Sequence, residues 1–206
     1  VGGLNAYLAV KEITSELDRY PAFRIPIVLV PASIDNNLPG AELAIGTDTA
    51  LNNAVWALDR IKESAAASKR CFVAELMGRR CGYLTLMSGI ASGAEYAYLN
   101  EENTTLAEID EDAHRLRETF EAGRRLFLVV VNEEADAHYN REFLANVFEA
   151  ESDGLYDVRS SALGHLKQGG APSPYDRLLA TRLVFAALGE LDSQFLQGRS
   201  QAVYIG

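Results

Sequence analysis

Two cysteines, Cys71 and Cys81, are all that 206 residues hold. Each sits in an apolar context, which points to buried thiols in a reducing compartment rather than to a disulfide framework. No apolar run approaches the roughly 18 residues that a membrane span needs, and no signal-peptide pattern is present. Basic residues are in deficit: 19 Lys and Arg face 29 Asp and Glu, a formal charge of −10. That balance excludes the broad basic face of a nucleic-acid binder. It leaves room for a phosphate ligand, for which a few local cations suffice. Internal repeats and low-complexity tracts are absent as well. No Met opens the chain at Val1-Gly2-Gly3, and the terminal Ala202-Val-Tyr-Ile-Gly206 reads as a strand without a neighbour. The expectation is one α/β half, residues 1–206, truncated at both ends. What is present is ordinary for a globular protein, 48% hydrophobic and 23% charged.

Strand and helix signals alternate along the chain. Strands are expected at about 25–30, 70–76, 94–99 and 125–131, with a further one starting at 202. Helices are expected at about 5–20, 48–67, 81–92, 106–121, 139–150 and 174–188, the last opening on an early Pro. Segment 164–170 reads as a loop. Such alternation predicts an α/β fold, a mainly parallel sheet with helices on both faces.

The most informative stretch is Pro31-Ala-Ser-Ile-Asp-Asn-Asn-Leu-Pro-Gly40, fed by the apolar run Ile25–Val30. Polar side chains at the carboxyl end of a strand stand where open α/β sheets bind ligands. Asp35 is the acid in this loop and a candidate general base. Three other polar turns follow predicted strands or open helices: Met77–Arg79, Asn132–Glu134 and Gly164–Gly170. Convergence of these turns would gather Asp35, Arg79, Glu133, His165 and Lys167. Cations with one or two carboxylates suit a phosphorylated polyol. Each residue also has a plain reading. Asp35 can cap a turn, Arg79 and Arg80 can be solvated, and His165 can be a satisfied loop histidine. Glu133-Glu134 can be a surface pair, and Arg70 and Arg159 can be edge charges.

The order of these motifs resembles the 6-phosphofructokinase family. Matching segments are Pro31–Asn37, Gly46-Thr-Asp-Thr-Ala-Leu-Asn52, Met77-Gly-Arg79 with Cys81-Gly-Tyr83, Asn132-Glu133, Gly164-His165, and Gly169-Gly-Ala-Pro-Ser-Pro-Tyr-Asp-Arg177. Finer signs resemble the carboxyl-terminal half of the duplicated eukaryotic-type enzyme: Asp59–Ala66, Asn132-Glu133-Glu134, Tyr139 and Gly154-Leu-Tyr-Asp157. The resemblance implies a phosphofructokinase-like, three-layer fold and a cytoplasmic, glycolytic, allosteric kinase. That enzyme transfers phosphate from ATP, with Mg2+, to fructose 6-phosphate. In this half the sugar site usually serves the effector fructose 2,6-bisphosphate. The implied partners are one of these sugar phosphates and a second half or homo-oligomer, with neither nucleic acid nor membrane. A pyrophosphate-dependent relative would carry lysine where Ala32 stands.

The resemblance also assigns roles. Asp35 takes the place of the base that deprotonates the C1 hydroxyl. Ser33 matches a phosphate-contacting hydroxyl, Met77, Gly78 and Arg79 the turn that grips the sugar phosphate, Glu133 an acid for sugar hydroxyls, and His165 a phosphate ligand. Arg70 and Arg159 match arginines that reach into a neighbouring site. Departures are equally specific. Leu4 stands where catalytic halves carry a magnesium-organising Asp, and leucine offers no oxygen ligand. Asn37 replaces a second acid. Gln168 replaces an arginine, with Lys167 as a nearby charge. These three favour an effector half with no metal or nucleotide of its own. Asp35, where effector halves usually have Ser, and Arg79 favour a catalytic one that uses ATP and Mg2+ held elsewhere. A purely structural half without ligand is the third reading.

Overall fold

The computed structural model describes residues 1–64 and 68–206. The end of the helix expected over 48–67, and the close of the Asp59–Ala66 run, lie outside the described residues. In chain order the elements are α1 (Leu4–Ser15), β1 (Ile27–Leu29), α2 (Thr47–Glu63), β2 (Arg70–Leu76), α3 (Tyr83–Ser92), β3 (Tyr96–Tyr98), α4 (Leu106–Glu121), β4 (Leu126–Asn132), α5 (Arg141–Glu151), β5 (Asp157–Ala162), α6 (Pro174–Leu196) and β6 (Ala202–Tyr204). Short 3-10 turns occupy Pro21–Phe23 and Gly164–Gln168. The chain forms two compact units, one of Ala50–Gly170 and one of Val1–Thr49 with Ala171–Gly206.

The unit Ala50–Gly170 holds a wholly parallel sheet in the order β3-β4-β2-β5. Side chains alternate across a strand, and both faces here are covered. Cys71 and Val73 of β2 join Phe127, Val129 and Val131 of β4 against α4 and α5, through Ile109, Leu116, Phe120, Leu144 and Phe148. Phe72, Ala74, Leu76, Leu128 and Val130 point the other way, against Ala54 and Leu58 of α2. On that second face α3 comes so close that a Cβ at Gly89 would meet Val130 Cγ2 at 2.8 Å. Two covered faces explain why β2 and β4 read as near-continuous apolar runs. α4 starts on a capping box, Thr105 with Glu108, which ties up two otherwise unpaired N–H donors.

In the other unit β1 pairs with β6 in parallel, Ile27 opposite Ala202 and Leu29 opposite Tyr204. β1 is shorter than the apolar run because Pro26 and Pro31 bracket it, and proline has no N–H for a ladder. Asp176, 2% exposed, organises the loop end of this unit. Its carboxylate accepts from Gly46 N at 2.8 Å, Thr49 N at 2.8 Å and Thr49 Oγ1 at 2.5 Å. Thr47 Oγ1 in turn donates to Ser33 O at 2.8 Å. The paired motifs Gly46–Asn52 and Gly169–Arg177 are thus joined by one buried carboxylate.

α1 ends at Ser15, about five residues short of its expected end, and two further elements differ from the sequence expectation. β5 is a strand that polarity concealed: of Asp157-Val-Arg-Ser-Ser-Ala162, Val158 is the buried residue, as suits an edge strand. α6 continues through Gly189 to Leu196, although a helical glycine costs about 1 kcal/mol. Among the described residues no helix is long and apolar enough to cross a membrane.

Phe120 is fully buried, with its ring stacked on Tyr156 at 4.3 Å between centroids. Phe120→Ala is expected to destabilise the protein by about 3–5 kcal/mol, read as a lower denaturation midpoint. A loss below roughly 1 kcal/mol would contradict this core.

A second prediction concerns pH. Burial pushes the Tyr98 phenol well above the usual tyrosine range, and the neighbouring Asp112 carboxylate adds to the effect. The Tyr98 hydroxyl donates to Asp112 Oδ2 at 2.8 Å. Burial raises the Tyr156 phenol too. A phenol that binds its proton more tightly when folded stabilises fully below about pH 10. That contribution fades as pH climbs further, by up to about 1.4 kcal/mol per pH unit for each group. Tyr98→Phe should therefore flatten the decline of the unfolding midpoint above about pH 10. An unchanged slope would remove Tyr98 as its source.

Candidate functional site

Strands of a parallel sheet all end on one edge, where α/β folds place ligands. In the unit Ala50–Gly170, β2 lies between β4 and β5 with Leu76 opposite Asn132 and Glu75 opposite Ala162. The segments leaving these three strands, Met77–Arg80, Glu133–Glu134 and Leu163–Gly170, therefore start side by side. Glu133 N donates to Leu76 O at 2.9 Å, and Leu163 N to Glu75 O at 3.0 Å. Glu133 Oε1 accepts from Gly78 N at 3.2 Å. Gln168 Nε2 points at Met77 Sδ from 3.8 Å, and Gln168 Oε1 lies 3.0 Å from His165 Nδ1. Met77, Gly78, Glu133, His165 and Gln168 are thus brought together by direct contacts. Arg79 follows Gly78 in the turn and is exposed, as are Glu133, His165 and Gln168. Lys167 differs: it is 1% exposed, its side chain turned into the protein.

The turn itself is tightly specified. Asn132, 1% exposed, donates through Nδ2 to Gly78 O at 3.0 Å and Cys81 O at 3.3 Å, and its Oδ1 accepts from Glu134 N at 2.9 Å. A Cβ at Gly78 would collide with Cys81 O and Asn132 Nδ2. Arg80 adopts a left-handed φ of 52° and donates from its backbone N to Glu134 Oε2 at 2.9 Å. Glu101 Oε1 receives Gly82 N at 2.7 Å, where α3 begins. The result is a rigid loop that offers an exposed cation at Arg79, an imidazole and a carboxylate on one edge. Such a set can hold a phosphate and accept protons from polyol hydroxyls.

Arg70 and Arg159 stand apart from this edge. Arg70 opens β2 and donates to Ser64 O at 3.2 Å; seven residues of strand put it roughly 20 Å from Met77. Arg159 pairs in register with Phe72 and lies exposed beside Asp157, 3.6 Å away. Neither arginine is gathered with Gly78 and Glu133.

The remaining predicted residues belong to the other unit and form a cluster of their own. Ser33 Oγ accepts from Asp35 N at 3.1 Å, an ST-turn that bends the loop. Asn36, at a left-handed φ of 53°, receives Ala44 N on Oδ1 at 2.9 Å. Asp35 and Asn37 are half-buried on either side of it. The Gly2-Gly3 turn lies against this loop: a Cβ at Gly3 would meet Ala32 O at 3.3 Å. Leu4 thus begins α1 beside the loop, a place where its side chain supplies no oxygen donor. Among the described residues no cluster of three or more His, Cys, Asp or Glu could hold a metal ion.

Sequence reasoning overlooked Asn132, Glu101 and Asp176 as organisers. Asn132 sits at the end of an apolar strand, a placement that signals a buried hydrogen-bonding role. Glu101 and Asp176 carry no local sign, because their partners lie 19 and up to 130 positions away.

Residues 1–191 match the family model described as Phosphofructokinase. The chain is 44% identical over 184 residues to the ATP-dependent 6-phosphofructokinase of Dictyostelium discoideum, covering 89% of this chain and 22% of that protein. It is 37% identical over 202 residues to the human platelet-type enzyme, covering 98% and 26%. The solved phosphofructokinase of Saccharomyces cerevisiae superposes with a TM-score of 0.90 at 38% identity, over 94% of this chain and 26% of that one. The chain therefore spans about a quarter of the length of these relatives. With 191 of its residues under one family model, and with such relatives, the chain belongs to the phosphofructokinase family.

Proposed function

We propose that this chain is part of an ATP-dependent 6-phosphofructokinase, the glycolytic phosphotransferase that makes fructose 1,6-bisphosphate from fructose 6-phosphate and ATP in the cytoplasm. Within it, the chain forms a fructose-phosphate site that acts as an effector half, with fructose 2,6-bisphosphate as the preferred ligand. The observation that carries this reading is the junction of the Gly78 turn with Glu133, beside His165 and Gln168. It supports the reading because a turn that carries a cation and a carboxylate leave the sheet on one edge. In the other unit Ser33 and Asn37 flank Asp35 as phosphate-type groups of their own loop, Lys167 stiffens its loop from within, and Arg70 and Arg159 serve a neighbouring half or subunit. That last role makes the working protein a homo-oligomer or a covalently linked pair of halves. ATP and Mg2+ are held outside this segment, in keeping with Leu4, Asn37 and Gln168.

In the complete polypeptide, fructose 2,6-bisphosphate or fructose 6-phosphate should raise the unfolding midpoint by mass action. Arg79→Ala and His165→Ala are each expected to weaken that response by about tenfold or more in sugar concentration, since a charge-assisted contact contributes about 1.5–3 kcal/mol. An undiminished response in both variants would overturn the site.

One observation favours a second reading. Asp35 carries a carboxylate where effector halves usually carry a hydroxyl, and its loop is held by the Ser33 turn. As a catalytic residue Asp35 would take the C1 hydroxyl proton while that oxygen attacks phosphorus. Asp35→Ser separates the two roles. The effector reading expects kcat to stay within about twofold with altered activation by fructose 2,6-bisphosphate. A fall of kcat by about 100-fold or more at unchanged sugar affinity would instead make Asp35 the base.

A further inference from the structure

The loop Gly164–Gly170 carries His165 and Gln168 to the site edge, yet apolar packing does little to hold its far end. Leu166 is 74% exposed, and Gly169 and Gly170 are exposed as well. A gap of about 140 Å³ opens between this part of the loop and α2, lined by Asn53, Trp56, Ala57, Leu166, Gly169 and Gly170. Asn53 crosses beside that gap. Asn53 Nδ2 donates to Gly169 O at 2.5 Å and to Lys167 O at 3.3 Å. The same side chain lies 3.3 Å from where a Cβ on Gly170 would stand, at a left-handed φ of 92°. A primary amide suits this place because its nitrogen carries two N–H donors for two carbonyls. A carboxylate of the same shape would set acceptors against acceptors.

From this we infer that Asn53 is a positioning residue: it fixes the 164–170 loop on α2 and thereby sets His165 and Gln168 for a sugar phosphate. The inference rests on the proposed sugar-phosphate site. Asn53 touches no ligand itself. Its effect passes through two backbone carbonyls of the loop, while the His165 and Gln168 side chains are exposed. Without the amide, the loop keeps its first anchor, Leu163 N on Glu75 O at 3.0 Å. Its second half loses both amide contacts beside the gap, with the buried Lys167 side chain left to hold it. The cost falls on ligand affinity, and the sheet beneath is spared.

The experiment uses the complete polypeptide with Asn53→Ala, Asn53→Asp and Asn53→Gln, and His165→Ala as reference. Fructose 2,6-bisphosphate and fructose 6-phosphate are titrated by thermal shift, and backbone hydrogen exchange is followed over 164–170 and over β2 and β4. Asn53→Ala and Asn53→Asp are expected to raise the half-maximal sugar concentration about tenfold or more, matching about 1.4 kcal/mol of lost coupling. Exchange should quicken in the loop and stay slow in the strands, with the sugar-free midpoint little changed. Asn53→Gln, which keeps both donors, should recover part of the affinity. Normal sugar binding in the Ala and Asp variants, while His165→Ala loses it, would overturn the role of Asn53 and leave the site standing. A sugar-free midpoint that falls along with affinity, with no recovery in the Gln variant, would overturn positioning in favour of a purely structural role. Unchanged binding in all four variants would remove the site and this inference together.

Discussion

The in-register parallel pairing of β2 with β4 on one side and β5 on the other is the constraint on which the candidate site depends. Parallel pairing sends three strands out of the sheet on the same edge, and register decides which residues leave it together. Leu76 lies opposite Asn132, and Glu75 opposite Ala162. From that alignment the turn at Gly78, the acid at Glu133 and the loop of His165 follow as neighbours, though more than 80 positions separate the first from the last. A slip of one residue would turn the alternating core of β2 and β4 inside out. The hydrophobic contacts on both faces therefore guard the geometry of the polar edge.

Fixing three loop starts does not by itself make a site; the loops must also be stiff. The protein meets that need with buried or half-buried side chains bonded to backbone. Asn132 bonds three main-chain groups around the Gly78 turn, and Asn53 bonds two in the His165 loop. In the other unit Asp176 collects Gly46 and Thr49. Each such group would be costly if its partners were missing, so each carries specificity for one loop conformation. Exposed polar side chains, Arg79, Glu133 and His165, then ride on loops that these bonds tie to the sheet.

Much of the fold is legible in the sequence, for reasons that differ by element. α4 reads correctly from end to end, because its apolar face repeats at helical spacing and Thr105 with Glu108 marks its start. β2 and β4 read well because strands covered on both faces are apolar throughout. β5 does not, since an edge strand buries little more than Val158. The end of α6 does not either, because Gly189 gives a stop signal that tertiary context overrides. The site is legible in part. Motif order points to Met77–Arg79, Glu133 and His165; in the fold Gly78 contacts Glu133, and Gln168 contacts His165 and Met77. Burial of Lys167 has no sign in its neighbours, and the tie from Asn53 to a loop 114 and 116 positions away is a product of folding alone.

The most direct measurement is a structure of the complete polypeptide with fructose 2,6-bisphosphate bound. Phosphate density within hydrogen-bond reach of Arg79 and His165, with Glu133 against a sugar hydroxyl, is the expected result. A sugar bisphosphate bound elsewhere, with those three side chains left facing water, would contradict the central claim.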